Sequence, residues 1–510
     1  MTMRFLPSGR KRIRSRRGAR LLAPTACLAI LVCAGLPASS ATGGPNGYSS
    51  SAAAASRPNI VFVLTDDLSM NLVRYMPALK ALQDRGMTFT NYTVSNSLCC
   101  PSRASIFTGE FPHNTGVLSN TAPSGGYPSF QAHGDQAHTF AVSLARAGYR
   151  TGFFGKYLNG YNPATHPRNP PGWSQWGAVD GHGYREYGYN MSVNGKIVHH
   201  GDQPSDYLTS VLDRMSQRFI RSSASGGTPF ALEVATFSPH SPYVAAPSDL
   251  DKYPNLRMPR TPAFDTHPAN APRWLADRPP LTSAQIKRGQ SIFRKRVRCV
   301  QSVDRMLIHL QTALQDVHQL ANTVFVFSSD NGFHIGEHGL TAGKLTAFET
   351  DVNVPLVVAG PGITAGSVSS ASMENIDLAP TFDGLAGTPI PSSVDGHSAV
   401  PLLHGRSVPW RTLAAVEHYA VKQKPGDPDY QGPSAGRLPS YKALRSSSFT
   451  YVEYARGQRE YYDRTRDPYE LDNMYRDVPR RTINDLHREL AALSQCSGYQ
   501  QCWSAAAPVR

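Results

Sequence analysis

Residues 57–68 read RPNIVFVLTDDL, in which an unbroken apolar run at 60–64 is followed by Asp66 and Asp67. A short run that is apolar throughout predicts a strand buried on both faces, as in a parallel sheet. The stretch TVFVFSSDNG at 323–332 repeats the pattern, and NVPLVVAGPG at 353–362 predicts a third buried strand. These runs indicate a layered α/β protein.

Amphipathic patterns between the apolar runs predict helices at 75–86, 138–147, 206–221 and 282–317. Buried strands that alternate with such helices are typical of a doubly wound α/β sheet. Residues 410–475 instead contain short alternating runs, which predict a small antiparallel sheet with hairpins, and 482–494 predict a closing helix. We therefore expect a catalytic domain over 57–405 and a C-terminal subdomain over 406–510.

Residues 1–41 have the three parts of a secretory signal peptide: a basic stretch, an apolar run at 21–36, and small residues up to Ala41. The run is too short for a stable membrane span and contains Pro24. We expect cleavage after Ala41, a flexible linker at 42–56, and a secreted or cell-envelope protein. An uncut N-terminal anchor is the alternative.

The charge of the chain bears on its partners. The formal net charge of +14 falls to about +6 once the eight basic residues of the leader are set aside. This lower charge removes the main argument for a nucleic-acid partner, and it remains compatible with binding of a small anionic substrate. An apolar content of 40% and a charged content of 17% exclude collagen, a disordered tail and a coiled coil.

Five cysteines follow the leader, so at least one lies outside any intramolecular disulfide. Cys496 and Cys502 are close in sequence near the C-terminus, and they form the favoured pair for an exported protein. The sequence alone leaves this pairing open.

Two pairs of polar side chains follow predicted strands: Asp66 with Asp67, and Asp330 with Asn331. Ligands of an open α/β sheet bind beyond the carboxyl ends of its strands. Four oxygen donors at that edge predict a site for a hard cation, Ca²⁺ or Mg²⁺, rather than Zn²⁺. For a single pair of this kind, a helix N-cap would be the favoured explanation.

The stretch SLCCPSRASIFTGEFPHN at 97–114 contains the most specific motif. Cys99, Pro101, Ser102 and Arg103, followed by Thr108-Gly109, resemble the signature of the formylglycine-dependent sulfatases. In that family the first cysteine is oxidised to formylglycine, which selects Cys99 and leaves Cys100 as the variable position. The alternative is a pair of buried cysteines beside a turn.

The resemblance covers about residues 57–475 and is closest to the N-acetylglucosamine-6-sulfatase branch, near the heparan 6-O-endosulfatases. Further matching stretches are TDDL at 65–68, GKYLNGY at 155–161, PPGWSQW at 170–176, PHSP at 239–242, SSDNGFHIGEHG at 328–339 and NIDLAPT at 375–381. The resemblance implies an alkaline-phosphatase-like sandwich with a large mixed, mostly parallel sheet and a small C-terminal antiparallel sheet.

The resemblance also implies roles for individual residues. One Ca²⁺ ion (Mg²⁺ also fits) would be held by Asp66, Asp67, Asp330, Asn331 and the formylglycine derived from Cys99. Arg103 would orient the hydrated aldehyde, and Lys156, His240 and Lys344 would hold the sulfate or serve the leaving group. A formylglycine-generating enzyme would be a partner during maturation.

This chemistry requires such residues, because a metal and fixed cations must neutralise the charge of a sulfate ester under attack. The departing alcohol needs a proton, for which His240 is the natural donor. Leu158 stands where many arylsulfatases have a histidine. The role of that histidine in sulfate release stays unassigned here, and His334 and His338 are candidates for it.

Other residues have two interpretations each. His113 either touches substrate or is an ordinary loop histidine, and Trp173 and Trp176 either stack on a sugar or pack in the core. The sequence as a whole predicts hydrolysis of sulfate esters on O-sulfated sugars such as glucosamine 6-sulfate. The alternatives are an arylsulfatase, a phosphate or phosphonate monoester hydrolase of the same fold, and an inactive glycan-binding protein.

Overall fold

The computed structural model describes residues 57–421, 429–430 and 438–506. The predicted signal peptide at 1–41 and the predicted linker at 42–56 lie outside these residues. Within the described ranges, no helix combines the length and the apolar character needed to cross a bilayer.

The strands of the described residues are β1 Asn59–Thr65, β2 Met87–Phe89, β3 Tyr92–Thr93, β4 Arg150–Gly155, β5 Gln175–Val179, β6 Tyr189–Val193, β7 Lys196–His200, β8 Phe230–Ala235, β9 Thr323–Ser329, β10 Leu356–Ala359, β11 Ser367–Ser369, β12 Met373–Glu374, β13 Ala414–His418, β14 Tyr441–Arg445, β15 Phe449–Tyr454 and β16 Arg459–Asp463.

The α-helices are α1 Met70–Val73, α2 Pro77–Arg85, α3 Cys99–Thr108, α4 Pro112–Thr115, α5 Gly126–Ala132, α6 Phe140–Arg146, α7 Leu208–Ala224, α8 Arg273–Ala276, α9 Ser283–Asp316, α10 Glu349–Val352, α11 Leu378–Ala386, α12 Val400–Leu403, α13 Arg480–Leu493 and α14 Tyr499–Ala505.

Ten strands form one large mixed sheet in the order β11-β2-β10-β9-β1-β8-β4-β5-β6-β7. Its centre, from β9 to β5, is parallel throughout, and β1 lies between β8 and β9. The strands predicted at 60–64 and 323–332 are therefore parallel neighbours. The third predicted strand, β10, is buried but antiparallel to β9, because the chain re-enters the sheet at the edge where β9 ends.

Helices cover both faces of this sheet, since the side chains of β1 alternate between two apolar cores. Ile60 and Phe62 pack with helices α3, α6 and α11 on one face. Val61 and Val63 pack with helices α2, α7 and α9 on the other. A strand whose alternate side chains meet two helical layers is apolar along its whole length, as the sequence predicts. The α/β sandwich prediction is confirmed.

The C-terminal part forms a four-stranded antiparallel sheet in the order β13-β14-β15-β16, with α13 packed on it. This confirms the small antiparallel sheet. Tyr441 and Tyr454 of this sheet belong to the same core as Ile60 and Phe62 of the large sheet, so apolar packing is continuous between the sheets. The boundary near residue 405 stays a prediction.

A disulfide joins Cys496, which follows α13, to Cys502 in α14. The remaining cysteines of the described residues, Cys99, Cys100 and Cys299, are buried thiols.

Candidate active site

The two polar pairs meet at one edge of the sheet. Strands β1 and β9 run parallel with Thr65 opposite Ser329, so the residues that follow them emerge side by side. The backbone N–H of Asp67 donates to Oδ1 of Asp330 at 3.1 Å, and Nδ2 of Asn331 donates to Oδ1 of Asp67 at 2.7 Å. All of these side chains, including Asp66, are buried. Such a concentration of buried carboxylates requires cations around it.

Arg296 supports this edge and was not singled out from the sequence. Asp67 has a φ of 64°, in the left-handed region that non-glycine residues seldom adopt. The guanidinium of Arg296, from helix α9, donates to the carbonyl oxygen of Asp67 at 2.5 Å and stacks over the ring of Phe333. The hydrogen bond holds Asp67 in this conformation. The sequence contained one signal for this role, an arginine on the apolar face of a predicted helix.

Helix α3 brings Cys99 to the polar edge. Its Sγ atom lies 3.3 Å from Oδ1 of Asp66 and 2.8 Å from Nζ of Lys344. Cys100, the next residue, points into the apolar core on the same side of the sheet. The structure therefore brings Cys99 rather than Cys100 to the site, as the motif predicts.

Arg103 lies one helical turn after Cys99 and faces the same way. Its Nε donates to Oδ2 of Asp330 at 2.7 Å and its Nη1 donates to the carbonyl oxygen of Lys156 at 2.8 Å. Its buried Nη2 has no hydrogen-bond partner among the described residues. A buried donor without an acceptor is costly, so an additional acceptor at Cys99 or on a ligand would suit it.

Two buried lysines neutralise part of this negative charge. Nζ of Lys156, just after β4, donates to Oδ2 of Asp66 at 2.6 Å. Nζ of Lys344 donates to Oδ1 of Asp67 at 2.7 Å. Burial opposes the charge on Lys344, but the carboxylates of Asp429 and Asp67 outweigh it, and its pKa lies well above the ordinary value.

His240 follows β8 and faces hydrogen-bond acceptors with both ring nitrogens. Nδ1 lies 2.8 Å from the carbonyl oxygen of Ser241, and Nε2 lies 2.8 Å from Oδ1 of Asp429. A carbonyl only accepts, so Nδ1 carries a proton, and the carboxylate draws a second proton to Nε2. Burial opposes this charge, yet Asp67, Asp66 and Asp429 together raise the pKa of His240. These neighbours favour the protonated form of the imidazole.

Asp429 is a member of the site that the sequence did not reveal. Its carboxylate contacts Lys344, with 2.6 Å between Nζ and Oδ1, and it accepts a hydrogen bond from Nδ2 of Asn120. Burial opposes its ionisation, but Lys344 and His240 hold the pKa of Asp429 well below its ordinary value. No motif surrounds this residue, so the sequence offered no signal for it.

The Cys99 thiol itself is a poor nucleophile in this setting. Burial, with the nearby carboxylates of Asp429 and Asp66, raises its pKa well above the ordinary value. A thiol that stays protonated attacks weakly, since the thiolate is the reactive form.

The oxygen atoms at this edge fit a hard cation. A carboxylate oxygen of Asp66 and one of Asp67 lie within 4.8 Å of each other, and of Sγ of Cys99 and a ring nitrogen of His240, which are softer donors. The buried Oδ1 of Asn331 has no hydrogen-bond partner among the described residues, which leaves it available as an oxygen ligand. Carboxylate and amide oxygens together suit Ca²⁺ or Mg²⁺.

A cavity of about 720 Å³ opens beside these residues. Lys156, Asn120, Leu158 and Tyr184 are among its lining residues. Tyr184 forms the wall next to the site: Nζ of Lys156 lies 5.0 Å from its ring centre, and the ring of His240 lies 4.5 Å from it. A volume of this size is ordinary for a small-molecule site.

The three histidines that the sequence singled out besides His240 have partners of their own. His334 bonds to Asp351 at 2.9 Å. His338 stacks on Phe348, and burial lowers its pKa to about 3. His113 binds Glu417 and the carbonyl of Cys496, away from the site. His334 and His338, the two candidates for the role of the histidine that Leu158 replaces, thus have other contacts, and that role stays unassigned.

Trp173 and Trp176 are core residues. Both are buried, and both pack on Phe153 within the sheet's apolar core. The interpretation of these rings as sugar-stacking surfaces is wrong. Apolar bulk in the sequence does not distinguish a core ring from a binding ring.

A buried cysteine beside an edge of carboxylates, surrounded by buried lysines and a histidine, is an arrangement suited to an enzyme that acts on negatively charged esters. Family comparison gives the same result in finer terms. A family model described as Sulfatase matches residues 58–388, and one described as N-sulphoglucosamine sulphohydrolase, C-terminal, matches residues 336–496. The human protein named N-acetylglucosamine-6-sulfatase is 34% identical over 97% of this chain and 93% of its own length.

The chain belongs to the sulfatase family, in its N-acetylglucosamine-6-sulfatase branch, and is a sulfuric ester hydrolase. Solved structures support the fold. A protein solved in complex with its substrate D-glucosamine-2-N,6-O-disulfate has a TM-score of 0.72 at 23% identity, over 85% of this chain and 97% of that one. A phosphonate monoester hydrolase from Silicibacter pomeroyi has a TM-score of 0.64 at 23% identity, over 84% and 93%.

Proposed function

We propose that this enzyme hydrolyses the sulfate ester of an O-sulfated sugar such as glucosamine 6-sulfate, with formylglycine at position 99 and one bound Ca²⁺ ion. The observation that carries the proposal is the convergence of Lys344 and His240 around Cys99, beside the acidic edge of the sheet. The named activity of the human relative and the substrate of the solved structure support a sulfated glucosamine.

Formylglycine would supply the effective nucleophile that the protonated, buried thiol does not provide. Its hydrated aldehyde has two hydroxyl groups, one to attack sulfur and one whose deprotonation allows the sulfate to leave. The N-terminus of helix α3 favours negative charge at this position. Arg103, whose Nη2 lacks a partner, is placed to donate to it.

The cation would be held by Asp66, Asp67, Asp330, Asn331 and the modified residue 99, and it would neutralise charge on the sulfate. Lys156 and Lys344 pair with Asp66 and Asp67. A cation held by those carboxylates would leave both ammonium groups to contact a sulfate oxygen.

His240 would protonate the leaving alcohol. A sugar hydroxyl is a poor leaving group, so it departs with a proton rather than as an alkoxide. The imidazolium of His240 carries the required proton on Nε2, and the ring is held by Ser241 and by Tyr184. The sugar would extend into the cavity beside Tyr184 and Lys156.

The leader at 1–41 supports export to the cell envelope or medium, and a formylglycine-generating enzyme would act on Cys99 during production. Export would bring the enzyme to extracellular sulfated saccharides.

The decisive experiment compares two esters of one sugar alcohol, a sulfate and a phosphate, with an aryl sulfate. Purified protein, made together with a formylglycine-generating enzyme and loaded with Ca²⁺, is assayed on glucosamine 6-sulfate, the matching 6-phosphate and an aryl sulfate. We expect the sugar sulfate to have the highest kcat/KM. A preference for the phosphate ester would instead favour a phosphate or phosphonate hydrolase, and cleavage of aryl sulfate alone would favour an arylsulfatase.

A further inference from the structure

A carboxylate of the protein itself lies among the groups expected to hold sulfate. Oδ1 of Asp429 lies 2.6 Å from Nζ of Lys344 and 2.8 Å from Nε2 of His240. Its two oxygens lie 3.8 and 3.9 Å from Sγ of Cys99. Asp429 is only 5% exposed. We call this location, bounded by Lys344, His240 and Asn120, the anion position.

Asn120 is oriented toward the anion position by the backbone. Its Oδ1 accepts a hydrogen bond from the N–H of Cys100 at 2.9 Å, which directs its Nδ2 to the carboxylate of Asp429. Three donors from distant parts of the chain therefore converge on one anion. Such an arrangement recognises an oxyanion of any origin.

Two anions cannot share these donors. A sulfate group that contacts Lys344 and His240 would lie against the carboxylate of Asp429, and like charges at this distance repel strongly in a buried site. Under the proposed function, binding of substrate therefore requires that Asp429 leave its place.

We propose that Asp429 is an internal counter-ion that fills the anion position of the empty enzyme and is displaced by the sulfate group of the substrate; this rests on the proposed function. Asp429 compensates the buried cations when no substrate is bound. It also lowers the apparent affinity for sulfate, because sulfate binds only to those molecules in which the Asp429 carboxylate has moved out of the anion position. Its return would assist release of the sulfate product, and Asn120 would become a sulfate ligand.

The test measures binding of inorganic sulfate by titration calorimetry, with chloride at equal ionic strength as the reference. Asp429→Asn removes the charge and keeps the shape, and Asp429→Ser serves if the amide variant folds poorly. We expect sulfate to bind at least tenfold more tightly to either variant than to the unaltered protein. The matched control is Asp485→Asn, which removes a carboxylate from the surface of α13 and leaves sulfate affinity unchanged.

Lys344→Ala in the Asp429→Asn background identifies where the probe binds. Loss of sulfate binding in this double variant assigns the ion to the anion position. Retained binding assigns it elsewhere and overturns the proposal. Unchanged or weaker sulfate binding in Asp429→Asn alone also overturns it.

Turnover separates this inference from the proposed function. In the active enzyme, Asp429→Asn should lower KM for the sugar sulfate and strengthen inhibition by sulfate, with no gain in kcat. Tighter sulfate binding in a protein that cleaves no sulfate ester refutes the proposed function alone. Cleavage of sulfate esters with unchanged sulfate affinity in the variant refutes the counter-ion alone.

Discussion

Nζ of Lys344 lies 2.8 Å from Sγ of Cys99, although 245 residues separate them in the chain. The contact joins the loop that follows β9 to the first residue of α3, and it places a fixed positive charge where a nucleophile and a developing anion would meet. Replacement of Lys344 therefore tests the proposed catalytic role of this contact.

Lys344→Ala should reduce kcat/KM for a sugar sulfate by about 10²- to 10³-fold, the usual effect of removing one group that stabilises the transition state. Steady-state kinetics on glucosamine 6-sulfate measure it. Lys80→Ala, which removes an exposed lysine paired with Asp84 on α2, is the matched control and should leave kcat/KM unchanged. Equal rates for Lys344→Ala and unaltered enzyme would exclude the lysine from the reaction.

Formylglycine should form at position 99 and not at position 100. Cys99 faces the polar edge, whereas Cys100 packs in the core. Peptide mass spectrometry of protein made with and without a formylglycine-generating enzyme measures the modification, and Cys100→Ala should retain it. Full activity with an unmodified Cys99 would refute the mechanism.

Removal of the divalent cation should abolish activity, and Ca²⁺ or Mg²⁺ should restore it better than Zn²⁺, because the donors are oxygens. Asp67→Ala and Asp330→Ala should each lose activity by orders of magnitude. A readout independent of activity is the melting temperature, which a ligand of the folded state raises in unaltered protein. A Ca²⁺-dependent rise of the same size in Asp67→Ala would remove that residue from the cation site.

His240→Ala should slow hydrolysis of a sugar 6-sulfate much more than hydrolysis of a nitrophenyl sulfate, since only the sugar alcohol needs a proton on departure. The ratio of the two rates in variant and unaltered enzyme is the measurement. His487→Ala, an exposed histidine paired with Glu453, is the control. An equal fall for both substrates would assign His240 to sulfate binding instead.

Glu233 should make stability depend on pH. It lies on β8 between Phe62 and Phe153, its carboxylate has no hydrogen-bond partner among the described residues, and burial raises its pKa to about 8. Because the folded protein keeps this proton after the unfolded chain has lost it, the free energy of unfolding should fall as pH rises above about 4.5, the ordinary value.

The expected loss is about 3 kcal/mol between pH 4.5 and pH 7, at 1.36 kcal/mol per pKa unit. Urea unfolding at both pH values measures it. Glu233→Gln should remove this part of the pH dependence, and an unchanged dependence would contradict the assignment.

The sequence alone predicted strands β1, β9 and β10, helices α2, α6, α7 and α9, and the acidic edge, and its motif pointed to Cys99; it did not predict the central strands β4, β5 and β8 or the covering helices α3 and α11. The predicted features are local. An apolar run, a helical period or a motif of fixed spacing predicts its own secondary structure or site from about a dozen neighbouring residues. Asp66 and Asp330 could be placed together because the carboxyl ends of parallel strands share one edge. The antiparallel direction of β10 could not be predicted, since burial of its apolar run is the same in either direction.

Only the tertiary structure decided which polar groups meet around Cys99. Asp429 reaches the thiol from 330 residues away, and Arg296 supports Asp67 from the buried side of a long helix. Trp176 shares its aromatic character with a sugar-binding ring, yet the fold places it in the core and leaves Tyr184 at the cavity wall. Such contacts depend on how distant segments pack, and packing depends on the whole chain at once rather than on any local pattern.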